Sequence, residues 1–201
     1  RGLTKFVGRA KETRALKEAF EKAQSGYGQV IGVVGEAGVG KSRLLLELTR
    51  MLAREHYTYL EGRCLHFGGS MPYLPVLDIL RLYFDIKEGE REFVIKKNVR
   101  DKIMKLDEKL KHILPPLYEI LSLKIEDEWY LNLPPPQRRE RTFEAIRDLL
   151  IRESQNKPLV VAVEDLHWID KTSEEFLTYL IDWLANAHIL MILLYRPEYT
   201  H

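Results

Sequence analysis

Residues 33–45 read VVGEAGVGKSRLL, and the chain changes character twice within them. The stretch opens on the end of a β-branched run, QVIGVV at 29–34, which is bounded by glycines and reads as a buried strand. Glycines at 35, 38 and 40 then turn the chain. From Lys41 the apolar residues Leu44, Leu45, Leu48, Met51 and Leu52 recur at helical spacing. Three further apolar runs read as strands: YTYLEG at 57–62, PLVVAVED at 158–165 and HILMILLY at 188–195. Most of these runs are apolar nearly throughout, which suits a parallel sheet covered on both faces. Intervening helices, at about 173–185 for the last pair, supply the crossovers. The pattern is α/β and doubly wound.

Between the second and third strands lies a long connection, read as a helical insertion over about 75–130. Ile95, Val99, Ile103, Leu106, Leu110 and Ile113 step by three or four residues and predict one amphipathic helix over 95–113. Pro115-Pro116 and the triplet at 134–136 are read as breaks, with a further helix from about Arg139 that carries Phe143, Ile146, Leu149 and Leu150 on one side.

Gly35-Glu36-Ala37-Gly38-Val39-Gly40-Lys41-Ser42 has the spacing of the P-loop, G-x-x-x-x-G-K-[ST], and sits between a predicted strand and a predicted helix. Glycines let successive backbone N–H groups turn inward around phosphates, and the helix adds its positive end. Lys41 would neutralise β- and γ-phosphate charge, the Ser42 hydroxyl would bind Mg²⁺, and Arg43 follows in the first turn of the helix.

Glu164-Asp165 close an apolar strand, the arrangement of a Walker B site. One acid can hold Mg²⁺ while the other orients the attacking water, and the two roles are interchangeable at this level. In many P-loop ATPases the pair is Asp-Glu. Here the second acid is shorter by a methylene, so hydrolysis is expected to be slow, which suits a switch. Arg196 directly follows the fourth strand. Parallel strands deliver their C-terminal ends to one crevice, which places Arg196 near these groups, either as a γ-phosphate sensor or as an ordinary surface arginine at a strand end.

Composition bounds the partners. A net charge of +1, from 31 basic and 30 acidic residues in 201, offers no overall attraction for nucleic acid. The lysine-rich 95–113 stretch has Asp101, Asp107 and Glu108 interspersed and reads as a solvated face. The lone Cys64 excludes an internal disulfide and a cysteine-built zinc site, reads as a packed residue, and suits a reducing cytoplasm. No apolar run reaches the roughly 18 residues of a membrane span. The chain starts without methionine and stops soon after an apolar run, and is read as a module of a longer protein.

The segments FVGRAKE, GEAGVGKSRLL, EGRCLHFGGSMPYLPVLDILR, RTFEAIRDLLIRESQNKPLVVAVEDLHWID and LLYRPEY together resemble the AAA+-related ATPase domain of STAND signal-transduction proteins. More narrowly, they are similar to the module behind class III adenylate/guanylate cyclase domains and in large LuxR-type regulators. The likeness spans nearly the whole chain and is weakest over about 85–130. It implies a three-layer P-loop NTPase of the ASCE type, with ATP/ADP and Mg²⁺ as ligands. It also implies that segment 4–24, with Val7-Gly8-Arg9, packs on the adenine, and that Arg196 is the sensor arginine. The family switches between an ADP-held closed state and an ATP-bound open state that often self-associates. A winged-helix lid and helical repeats normally follow, and a cyclase domain can precede.

The residues leave two other functions open: a non-catalytic module whose conformation nucleotide sets, and a small-molecule kinase. The choice of ATP over GTP rests on the resemblance. His167 and Trp168 read as packing residues, Asp170 as the cap of the helix beginning near Thr172, and Arg138, Arg139 and Arg141 take no assigned role.

Overall fold

Four apolar runs form strands β1 (Gln29–Val34), β2 (Thr58–Arg63), β3 (Leu159–Glu164) and β4 (Ile189–Tyr195) in a computed structural model that describes residues 10–35, 40–66 and 71–197. The strands pair in parallel in the order β1-β4-β3-β2. β3 is buried at every position and β4 at most, which is why both read as unbroken apolar runs. β1, read as a buried strand, is instead an edge strand in which only Val33 is buried and Val30 and Val34 stay exposed. The glycine-rich turn leaves β1 and the acid pair ends β3, so β4 stands between them.

Helices cover both faces. On one, Leu16 and Phe20 of α1 (Ala10–Gln24) and Leu44, Leu45 and Leu48 of α2 (Lys41–Met51) pack on Val33, Val160, Ala162, Leu190 and Ile192. Fully burying such a leucine is worth about 1.5–3 kcal/mol, and these leucines hold α2 against the sheet. On the other face, Leu159, Val161, Val163, Ile189 and Met191 meet α3 (Leu74–Tyr83), α7 (Pro135–Asn156) and α8 (Lys171–Ile181). This is the three-layer α/β fold expected. Side chains alternate along a strand, so Glu164 shares the α2 face with Val160 and Ala162. Glu61 and Arg63 share it with Tyr59.

The connection from β2 to β3 is helical, as expected, but divided differently. The 95–113 periodicity resolves into α4 (Glu92–Leu106) and a 3-10 segment, Glu108–Ile113. Asp107 is extended between them and its carboxylate accepts the Lys109 N–H, a local bond that competes with helix continuation. The apolar steps continue across this break because a 3-10 turn also repeats every three residues. The prolines start helices rather than end them. Pro115 and Pro116 lie in the first turn of α5 (Leu114–Ile120), and α7 opens at Pro135, four residues ahead of the expected start. At a first turn the missing N–H costs nothing. A short α6 (Glu128–Leu131) lies between them.

Asp170 caps α8, accepting from Ser173 N at 2.9 Å and also from Tyr73 N at 3.2 Å, so one buried carboxylate ties α8 to the residue before α3. Cys64 is buried, and burial pushes its thiol up to about 12, which makes it a packing residue. No described helix is long and apolar enough to cross a membrane.

Candidate nucleotide site

The C-terminal ends of the strands gather the groups singled out in the sequence. Gly40 has φ 90°, a left-handed conformation that glycine adopts without strain, and the chain enters α2 directly after it. Lys41 donates from Nζ to the Gly35 carbonyl, drawing its ammonium back over the start of the loop. Gly35 N donates in turn to the Tyr195 carbonyl at 3.2 Å, which ties the loop to the end of β4. Ser42, on the first turn of α2, donates from Oγ to Glu164 Oε1 at 2.6 Å. Arg43 is half-buried one position further on. Glu36, Ala37, Gly38 and Val39, like Val7, Gly8 and Arg9, lie outside the described residues.

The two acids are not equivalent. Glu164 is 5% exposed, whereas the Asp165 side chain retains 35% exposure. Asp165 has φ 57° and ψ 42°, so the chain leaves the strand at Glu164 and turns sharply at Asp165. Arg63, at the end of β2, reaches both: its Nη2 lies 3.3 Å from Glu164 Oε2 and its Nε 3.7 Å from Asp165 Oδ2. Burial pushes the Glu164 carboxyl up, but hydrogen bonds from Ser42 and Glu61 and the charge of Arg63 outweigh it and hold Glu164 below the usual range. Glu61 is displaced upward by burial, then by its hydrogen bond to Glu164 and that carboxylate's charge. Of this pair Glu61 therefore keeps its proton to higher pH and donates to Glu164.

Arg63 and Glu61 carried no role in the sequence reading. Their signal was positional. They alternate with Gly62 at the C-terminal end of a strand, but only the strand order shows that the adjacent strand is the acid-bearing one.

Arg196 leaves β4 beside the loop, and its guanidinium lies 5.5 Å from the centre of the Trp168 ring, a cation–π contact. Trp168 also meets His66 and His167 edge-on, at 5.0 and 4.7 Å. The sequence reading of His167 and Trp168 as packing residues matches this cluster. Of the three arginines left without a role, Arg138 pairs with Glu119, Arg139 with Glu175, and Arg141 lies over Trp129.

A strand, a glycine loop and a helix facing a buried acid across a parallel sheet define a P-loop nucleotide-binding domain. The family model for the AAA ATPase domain matches residues 5–192, and the chain belongs to that family. It is also similar to an uncharacterized protein of Rhizobium meliloti (strain 1021), 27% identical over 206 aligned residues. That alignment takes in 97% of this chain and 19% of the relative, so the chain spans about a fifth of the relative's length.

Proposed function

We propose that the chain is an ATP-binding, slowly hydrolysing switch domain of a multidomain signalling protein. The observation that carries this reading is the 2.6 Å contact of Ser42 with Glu164, which brings loop and acid strand together at one point. Hard oxygen donors suit Mg²⁺, which is commonly held by one or two carboxylates plus substrate phosphates. Ser42 and Glu164 would hold it, with Asp165 as the alternative acid, and the ion would neutralise charge on the phosphate oxygens.

The chain's own groups supply the rest. Backbone N–H groups of the loop bind phosphate, and Lys41 exchanges the Gly35 carbonyl for phosphate oxygens. Asp165 orients water once its carboxylate is released from Arg63. That engagement, with the short side chain, supports slow and gated turnover. It also favours a second reading, in which the nucleotide sets conformation without being turned over. Arg196 exchanges Trp168 for the γ-phosphate and so reports its presence. The extent of the relative beyond the aligned region supports a place inside a larger protein. Cyclase or repeat domains as neighbours, ATP-dependent self-association and a cytoplasmic setting follow from the resemblance.

Single-turnover hydrolysis of labelled ATP with Mg²⁺ tests this reading. Slow phosphate release lost in Lys41→Ala and in Asp165→Asn supports the switch ATPase. Tight binding with no release above the Lys41→Ala background selects the non-hydrolysing module.

A further inference from the structure

Between β2 and β3, α3 supports the strand-end groups, Asp78 accepting the Arg63 N–H at 3.0 Å, and further helices follow it. Those helices enclose a cavity of about 970 Å³, walled by α4, the 3-10 segment, α5, α6 and one side of α7. Its floor is apolar and buried, made by Ile113, Leu114, Pro116 and Ala145. At its rim stand Phe93 and Trp129, exposed at 65% and 62%. Large aromatic groups displayed around a concave apolar floor mark a surface built to be covered.

The charge around the cavity is lopsided. Arg100, Lys109 and Lys111 line it and form no ion pair among the described residues. Six lysines and arginines line it against four acids, of which Asp148 pairs with Arg147 at 2.8 Å and Asp127 caps α6, while Glu126 and Glu144 remain. Arg141 stacks over Trp129 at 5.3 Å and holds that ring at the opening. The volume is that of a small-molecule site, the floor takes an apolar body, and the unpaired cations call for an anionic group.

We propose that this cavity binds an amphipathic organic anion, with an aromatic or acyl body against Leu114 and Pro116 and its acidic group at Arg100, Lys109 and Lys111. The site is separate from the phosphate loop, and the proposal stands whether or not the loop turns over ATP.

The test uses the dye 8-anilinonaphthalene-1-sulfonate and its uncharged counterpart N-phenyl-1-naphthylamine, with the whole chain. The expected result is saturable binding of a single sulfonate dye, undisturbed by saturating ATP and Mg²⁺. Its Kd should rise by about tenfold or more in Lys109→Glu/Lys111→Glu and in Trp129→Ala, and the uncharged dye should bind about tenfold more weakly. All three altered residues are exposed, and circular dichroism checks that the variants fold. Equal binding of both dyes, equal binding to all variants, or displacement by ATP overturns the proposal. So does a dimer that Trp129→Ala dissociates while dye binding is unchanged, which would make this face an interface between copies.

Discussion

The Ser42 hydroxyl donates to Glu164 Oε1 at 2.6 Å, although 122 residues of sequence separate them. The bond spans from the helix after β1 to the end of β3, so it joins the phosphate-loop side of the site directly to the acid strand. Arg63 closes the arrangement from the far side through the other oxygen of Glu164.

Ser42→Ala removes that bond but leaves Glu164 its arginine. The expected loss of stability is about 1 kcal/mol, read by urea denaturation. Mg²⁺-dependent phosphate release should fall by about tenfold or more, since the same oxygen is a proposed metal ligand. Turnover at the wild-type rate would take Ser42 out of the site.

The carboxyl pair predicts a pH profile in magnesium-free buffer. Glu164 is held below its ordinary value of 4.5, so its contribution to stability is present above 4.5 and is lost as pH falls through the lower folded value. Glu61 is raised from the same 4.5, so its contribution is present below 4.5 and is lost as pH rises through the higher folded value. Glu61→Gln should therefore remove a decline in stability that begins near pH 4.5 and runs upward. Parallel wild-type and Glu61→Gln curves across that range would contradict the assignment.

The backbone accounts for the short second acid. At φ 57° Asp165 occupies a region that aspartate and asparagine tolerate and longer side chains avoid. Asp165→Asn should stay within about 0.5 kcal/mol of wild type, while Asp165→Glu loses about 1 kcal/mol despite its longer reach. Thermal denaturation of the two proteins decides it, and a glutamate variant as stable as the asparagine one would refute the backbone account.

Gly62 lies between the two β2 residues that meet the acids. A Cβ there would sit 2.2 Å from the Pro75 carbonyl oxygen at the start of α3, a contact no side-chain rotation relieves. Asp78 of α3 also accepts the Arg63 N–H at 3.0 Å, so pushing α3 away disturbs Arg63. Gly62→Ala should cost about 2–3 kcal/mol in urea and lower phosphate release together. Unchanged stability would mean that α3 yields without cost.

Much of this was legible in the residues. β3 and β4 could be read because they are buried on both faces and so cannot alternate with polar residues. The phosphate loop and the acid pair could be read because each sits at a strand end, where parallel geometry collects groups. The grip of Arg63 could not be read, because strand order is a tertiary property and β2 meets β3 only after the long helical excursion. The break at Asp107 was hidden by apolar steps that suit an α-helix and a 3-10 turn alike.

β4 bears no reactive group before Arg196, yet it determines the width of the site. Standing between β1 and β3, it sets phosphate loop and acids two strand spacings apart, about 9–10 Å. The jaws of the site are thus bolted to a stiff spacer by backbone hydrogen bonds on both sides. Narrowing or widening it would mean tearing the sheet, so compliance must reside in side chains and in the arginine that tips the spacer itself.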